Sequence, residues 1–231
     1  MVIKEFVPVK MAPERPSDGV EYLENTNGVS CTIKGDFIAD KIARLKQYDF
    51  DYAVFRHDDT IIHTPAQVPV NCERMRMDNV GVAGVIGTLI MGESCGWWMH
   101  KRGVMTAGAI LQGDGKGGAY PMADRPGYRT DMVSVDGCFM VFSKKFIELY
   151  EPHLFGHWRF GYDTDACFQC LQAGMNVGIV DVTVRHESQG SFNPDEWEKF
   201  RKSFLDYWRN YVDFPVIKQS NFKPKEKNNE G

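Results

Sequence analysis

Hydrophobic and polar positions follow two different periods along this chain. Across residues 36–48, Phe37, Ile38, Ile42 and Leu45 fall on one face of a 3.6-residue repeat, and Asp36 stands where an N-cap belongs. An amphipathic helix is expected there. Tyr52-Ala-Val-Phe55 is a short unbroken apolar run that stops at Arg56-His57-Asp58-Asp59, the pattern of a buried strand with a polar end. A second helix is expected at about 66–78, and Val80-Gly-Val-Ala-Gly-Val-Ile86 reads as another buried strand. A short strand at 20–24 leads into the turn signal Asn25-Thr-Asn27-Gly28, while the rest of 1–19, with three prolines, reads as irregular. The order β-α-β-α-β predicts an α/β domain built on a mostly parallel central sheet flanked by helices.

The second half is less regular. Strands are expected at 104–111, 134–142, 177–181 and 184–186, with a loop over 113–131 that contains GDGKGG. A short helix is expected at 144–150 and a longer one at 162–173, stopped by Gly174. The last helix opens with Asn193 as N-cap and Pro194 at its first position, and carries Trp197, Phe200, Phe204, Trp208 and Tyr211 on one face. A single domain is expected over 1–214, followed by a polar, flexible tail at 215–231.

Composition narrows the class. The 231 residues are 43% hydrophobic and 25% charged, as in an ordinary globular protein. A net charge of −4 offers no field for nucleic acid or an anionic membrane, so an anionic ligand would need local groups or a metal ion. The N-terminus lacks the apolar run of a signal peptide, and no stretch reaches the ~18 apolar residues of a membrane span. Six scattered cysteines read as reduced thiols of a cytoplasmic protein. Cys167-x-x-Cys170 has no second pair and falls inside a predicted helix, so core packing explains it better than zinc.

Three segments carry candidate chemistry. His57-Asp58-Asp59 follows a strand, and ligands of open α/β sheets bind beyond the carboxyl ends of strands. It reads either as a site for a hard divalent cation carrying phosphates or as a solvated acidic turn. Asp163 and Asp165 open a helix, where carboxylates are favoured in any case; one of them in a cleft would also serve as a general base. His186 ends a strand and reads as a metal ligand or as a hydrogen-bonded histidine. Trp97-Trp98 would stack on a sugar or acceptor or pack in the core, and Lys34 would reach a diphosphate or base or stay solvated.

The series VFRHDDT, VDGCFMVFSKK, GYDTD and RHESQGSF, in that order, resembles the GT-A nucleotide-sugar transferases, specifically their family-two-like group. The resemblance spans residues 20–192. It implies Asp59 and His186 as ligands of Mn²⁺ or Mg²⁺, and His57 or Asp58 at the donor ribose or a metal-bound water. Asp136-Gly137 would lie near donor and acceptor, with Lys34 on the nucleotide side. Asp163 becomes the catalytic base, and Trp97, Trp98 and Asp165 fall on the acceptor or sugar side. The implied reaction moves a sugar from a UDP-linked donor to an unidentified acceptor with inversion. The implied alternatives are a UDP- and metal-binding protein that transfers nothing, and a metal-dependent hydrolase. Only 58 residues precede Asp59, a short stretch for this group, which implies a shortened first βα unit. The RxxRW-type motif is absent, so the resemblance excludes a processive polymer synthase.

Overall fold

The computed structural model describes residues 1–7, 38–99, 104–153, 155, 161–187, 193–214 and 217–222. In chain order the elements are β1 (Ile3–Phe6), α1 (Ile38–Arg44), β2 (Tyr52–Arg56), β3 (Thr60–Ile62), α2 (Gln67–Met77), β4 (Val80–Gly84) and β5 (Ile86–Thr88). There follow β6 (Thr106–Gly113), β7 (Ala119–Asp124), β8 (Ser134–Val135), β9 (Phe139–Ser143), α3 (Lys144–Ile147), α4 (Tyr162–Gln172), β10 (Asn176–Ile179), β11 (Val184–His186) and α5 (Pro194–Trp208).

One sheet runs β1-β2-β9-β4-β10. β1 is parallel to β2 and β10 to β4, while β9 is antiparallel to both of its neighbours. The α/β class is as expected, but the sheet is mixed, because β9 enters from the site end. Helices cover both faces. Ala53, Phe55, Met140 and Phe142 pack with Ile42, Phe146, Cys167 and Cys170 on one face. Tyr52, Val54, Phe139 and Val141 pack with Val68, Cys72 and Met75 of α2 on the other. Burial on both faces explains why these strands are continuous apolar runs rather than alternating ones. Both thiols of the CxxC pair lie in this core. A third cluster joins Phe168 of α4 to Trp197, Phe200, Phe204 and Trp208 of α5. The Asn193 side chain caps α5 by accepting from the backbone N–H groups of Asp195 and Glu196. Tyr211, expected on that helical face, falls past the helix end and is exposed.

The second sheet runs β3-β11-β6-β5-β8, with β7 paired to β6. Two strands that read as single runs are each split between the two sheets. The run 80–86 breaks at Val85 into β4 and β5, and the run 134–142 breaks at Asp136-Gly137-Cys138 into β8 and β9. The segment expected as a loop over 113–131 instead contains β7, and Asp114 closes the β6–β7 hairpin by accepting from the backbone of Lys116 and Gly118. The first residues of the nominally irregular N-terminus form β1 against β2. The expected strand at 20–24 and the Asp36 cap lie outside the described residues. Beyond residue 214, Ile217 is buried and pairs with Met91, so packed structure continues into what patterning reads as tail.

The Val85 break depends on Gly108, whose φ is +106°. An added Cβ there would collide with the Val85 carbonyl oxygen, which already accepts from Ala109 N–H at 2.8 Å. Gly108→Ala is therefore expected to destabilise the chain by at least about 1–3 kcal/mol in chemical denaturation, through backbone strain and overlap together. An unchanged midpoint would show that the crossing between the sheets is not so constrained.

Candidate active site and metal centre

The site lies where β2 ends and the two sheets meet. His57 leaves β2 with its backbone N–H bonded to Cys138 O at 2.9 Å, and Thr60 N–H returns to His57 O at 3.1 Å, closing a tight turn over Asp58-Asp59. Arg56 holds the turn from below: one guanidinium nitrogen donates to Thr60 O at 2.7 Å, and another is bonded to Glu5. β11 runs antiparallel to β3 and sets His186 opposite Thr60, next to Asp59. Asp59 O accepts from Glu187 N–H at 2.9 Å, which fixes that register.

Three side chains converge here. His186 Nε2 lies 3.4 Å from Asp59 Oδ1, and His57 Nδ1 lies 4.0 Å from the same oxygen. One ligand atom from each of His57, Asp59 and His186 falls within 4.8 Å of the others. First-row divalent ions bind such atoms at about 2.0–2.2 Å, so adjacent donors of one ion sit about 3–4 Å apart. The donor set could therefore hold a divalent ion. Burial lowers the His57 pKa, keeping a neutral ring whose lone pair suits a metal. At His186 burial acts in the same direction, but the hydrogen bond to Asp59 and the charge of Asp136 outweigh it, and the pKa rises. Asp58, between the two ligands in sequence, points to solvent.

The turn Asp136-Gly137-Cys138 joins this centre to α4. Gly137 N–H donates to Asp163 Oδ2 at 3.1 Å, and Thr164 N–H donates to Asp163 Oδ1 at 2.7 Å. Asp163 keeps partial exposure, yet protein atoms crowd its carboxyl. Burial, reinforced by the Asp136 charge, pushes its pKa up to about 7 against the pull of those two backbone donors. The preceding residue, Tyr162, reaches back to the candidate metal centre, its hydroxyl 2.7 Å from His57 Nε2. Burial raises the phenol's pKa far enough to keep it neutral.

Other expected residues take different places. Trp97 is buried, and its indole N–H donates to Asp136 Oδ2 at 2.9 Å; it supports a site carboxylate rather than offering a stacking face. Trp98 is 45% exposed and rests on Trp197 with ring centroids 5.0 Å apart, so it does present an aromatic surface. Asp165 is 0% exposed and turned into the α4–α5 interface, where it accepts from Trp208 Nε1 at 3.0 Å and Gln169 Nε2 at 2.7 Å and meets His153 Nδ1 at 3.1 Å. Residues two apart on a helix do not share a face, which is why Asp165 leaves the site that Asp163 enters. Lys34 lies outside the described residues. The contributions of Tyr162 and His153 escape sequence reading, because an aromatic at a helix start or a histidine between helices has no distinguishing pattern.

A family model described as "Glycosyltransferase like family" matches residues 34–208, more than half of the chain. Among solved structures, A197 from STIV is similar at 12% identity and a TM-score of 0.47, covering 82% of this chain and 87% of that one. GalNAc-T7, crystallised with UDP, GalNAc and Mn²⁺, is similar at 12% identity and a TM-score of 0.47, covering 84% of this chain but only 39% of that one. No curated protein matches the chain. Among the described residues, no helix is long and apolar enough to cross a membrane.

The Asp163 environment has a thermodynamic signature. A carboxyl whose folded pKa is raised stabilises the fold fully below its unfolded value near 3.8 and loses that contribution as pH rises through about 7. In metal-free protein, wild type should therefore lose more melting temperature between pH 5 and pH 8 than Asp163→Asn does, by the equivalent of roughly 2–4 kcal/mol. Parallel pH profiles for the two proteins would contradict the raised value.

Proposed function

The chain belongs to the glycosyltransferase-like family, and from that premise we propose that it transfers a sugar from a UDP-linked donor to an acceptor hydroxyl, with inversion at the anomeric carbon. The observation that carries this reading is the convergence of His57, Asp59 and His186 beside a carboxyl held near neutrality. These three residues would hold Mn²⁺ in preference to Mg²⁺. Bound there, the ion supplies Lewis-acid neutralisation of the charge that develops on the departing diphosphate, worth several kcal/mol. That answers the charge problem of an acidic site with an anionic substrate.

Asp163 serves as general base. As the acceptor oxygen bonds to the anomeric carbon, its proton passes to the Asp163 carboxylate. The bond from that carbon to the diphosphate oxygen breaks, and its electron pair leaves with UDP. A base whose pKa lies near the working pH combines a usable ionised fraction with real proton affinity. Asp136, the carboxylate that most strongly raises Asp163, has both oxygens engaged, by Trp97 Nε1 and Cys138 N–H. Inversion is the outcome that direct attack by the acceptor oxygen, with Asp163 as base, would give. The exposed Asp58 is suited to the donor's ribose, and Trp98 offers a face for the acceptor sugar.

In a thermal-shift titration, UDP should raise the melting temperature more with Mn²⁺ than with Mg²⁺, and Asp59→Ala should abolish the metal-dependent part. An equal UDP shift with and without metal would refute the centre. Asp163→Asn should retain Mn²⁺-dependent UDP binding and lose transfer by on the order of 10²–10⁴-fold. The wild-type rate should fall with decreasing pH on a limb at or below about 7, the bound cation drawing it downward. Wild type that binds UDP and Mn²⁺ but releases no sugar from UDP-sugars would mark a binding protein instead.

A further inference from the structure

We infer that Tyr162 is a positioning residue for the metal centre: its hydroxyl orients the His57 ring so that Nδ1, and not Nε2, faces Asp59 and His186. This rests on the metal-dependent reading above.

The Tyr162 hydroxyl lies 2.7 Å from His57 Nε2, while Nδ1 is the nitrogen 4.0 Å from Asp59 Oδ1. The ring is thus engaged at Nε2, and Nδ1 is the nitrogen directed at Asp59. The hydroxyl is itself wedged. A Cβ built on Gly137 would overlap the Tyr162 oxygen, so the phenol occupies space that any other residue at 137 would fill. Gly137 cannot retreat, because its N–H is bonded to Asp163 and its neighbours bond to Ile86 O and His57 N–H. Tyr162 is buried at the first turn of α4, so its ring has little room to swing. With an ion on Nδ1, Nε2 carries the ring proton and donates it to the phenol oxygen. Histidine ligands commonly depend on such a partner for ring orientation, and its loss typically costs about 10–100-fold in metal affinity. Because Tyr162 directly precedes Asp163, one helix turn sets both the ligand ring and the proposed base.

The test is Mn²⁺ binding to the full chain, followed by the electron-spin resonance signal of the free ion. Tyr162→Phe keeps the packed ring and removes only the hydroxyl. It should weaken Mn²⁺ binding by about 10–100-fold while the metal-free circular dichroism is unchanged. Gly137→Ala, which displaces the phenol without deleting it, should weaken binding in the same direction. In ¹⁵N-histidine spectra of Zn²⁺-loaded wild type, His57 should be coordinated through Nδ1 and protonated at Nε2. A coordinated Nε2 overturns the inference even if neither variant folds. So does a Tyr162→Phe chain that binds Mn²⁺ as wild type does while His57→Ala loses it; the metal reading then stands without the tyrosine. If His57→Ala also binds like wild type, the metal centre itself is wrong and the inference falls with it.

Discussion

Everything at the site depends on the backbone of one three-residue turn, Asp136-Gly137-Cys138. Asp136 N–H donates to Ile86 O at 2.8 Å, which ties the turn to β5 of the second sheet. Cys138 O accepts from His57 N–H at 2.9 Å, which ties it to the end of β2 in the first. Gly137 N–H, between them, donates to Asp163 on α4. Three peptide units thus fix the relative positions of a metal-type donor set, a carboxyl near neutrality and the seam between two sheets. Main-chain bonds among buried groups are costly to leave unmade, so the arrangement is rigid without any long side chain holding it. Side-chain contacts then refine it: Trp97 and the Cys138 N–H fix the two oxygens of Asp136.

This geometry concentrates negative charge where solvent is sparse. Asp136 lies close enough to raise Asp163 and to act on both histidines. Burying carboxylates together disfavours ionising all of them, and two remedies exist: a proton on one, or a cation between them. The structure is built for both. Asp163 takes the first remedy, and the His57–Asp59–His186 set is suited to the second. On the proposed reading, a cation there would let a protein with a net charge of −4 accept an anionic diphosphate.

Much of this was legible in the sequence because strand ends are. YAVF followed by a polar tetrapeptide marks a buried strand opening onto solvent, the same logic locates His186, and Asp163 is legible as a carboxylate at a helix start. What was not legible has physical causes. β1 and β3 are four residues or shorter, and the pairing that defines them is non-local. The run 80–86 holds only apolar residues and glycine, so the transfer of the strand from one sheet to the other at Val85 leaves no break in hydropathy. β7 is largely exposed and carries a proline and polar residues, the composition of a loop; only its pairing with β6 makes it a strand. Trp97 looks like a ligand platform in one dimension. The direction of its indole N–H, toward a carboxylate far along the chain, is set by the fold alone.

The pair Asp163 and Asp165 shows how far a motif can be read. Both carboxylates sit in the first turn of α4, both are helix-favourable, and burial raises the pKa of both. Their partners separate them. Asp165 is met by Trp208, Gln169 and His153, and these bonds pull its pKa back down and clamp α5 against α4. Among the described residues, the donors that meet Asp163 are backbone N–H groups, those of Gly137, Thr164 and Asp163 itself. A carboxylate saturated by fixed side-chain donors has less capacity left for a substrate proton than one held by backbone donors alone. The two aspartates are chemically identical, and their surroundings give Asp165 a structural task and leave Asp163 suited to the proposed one.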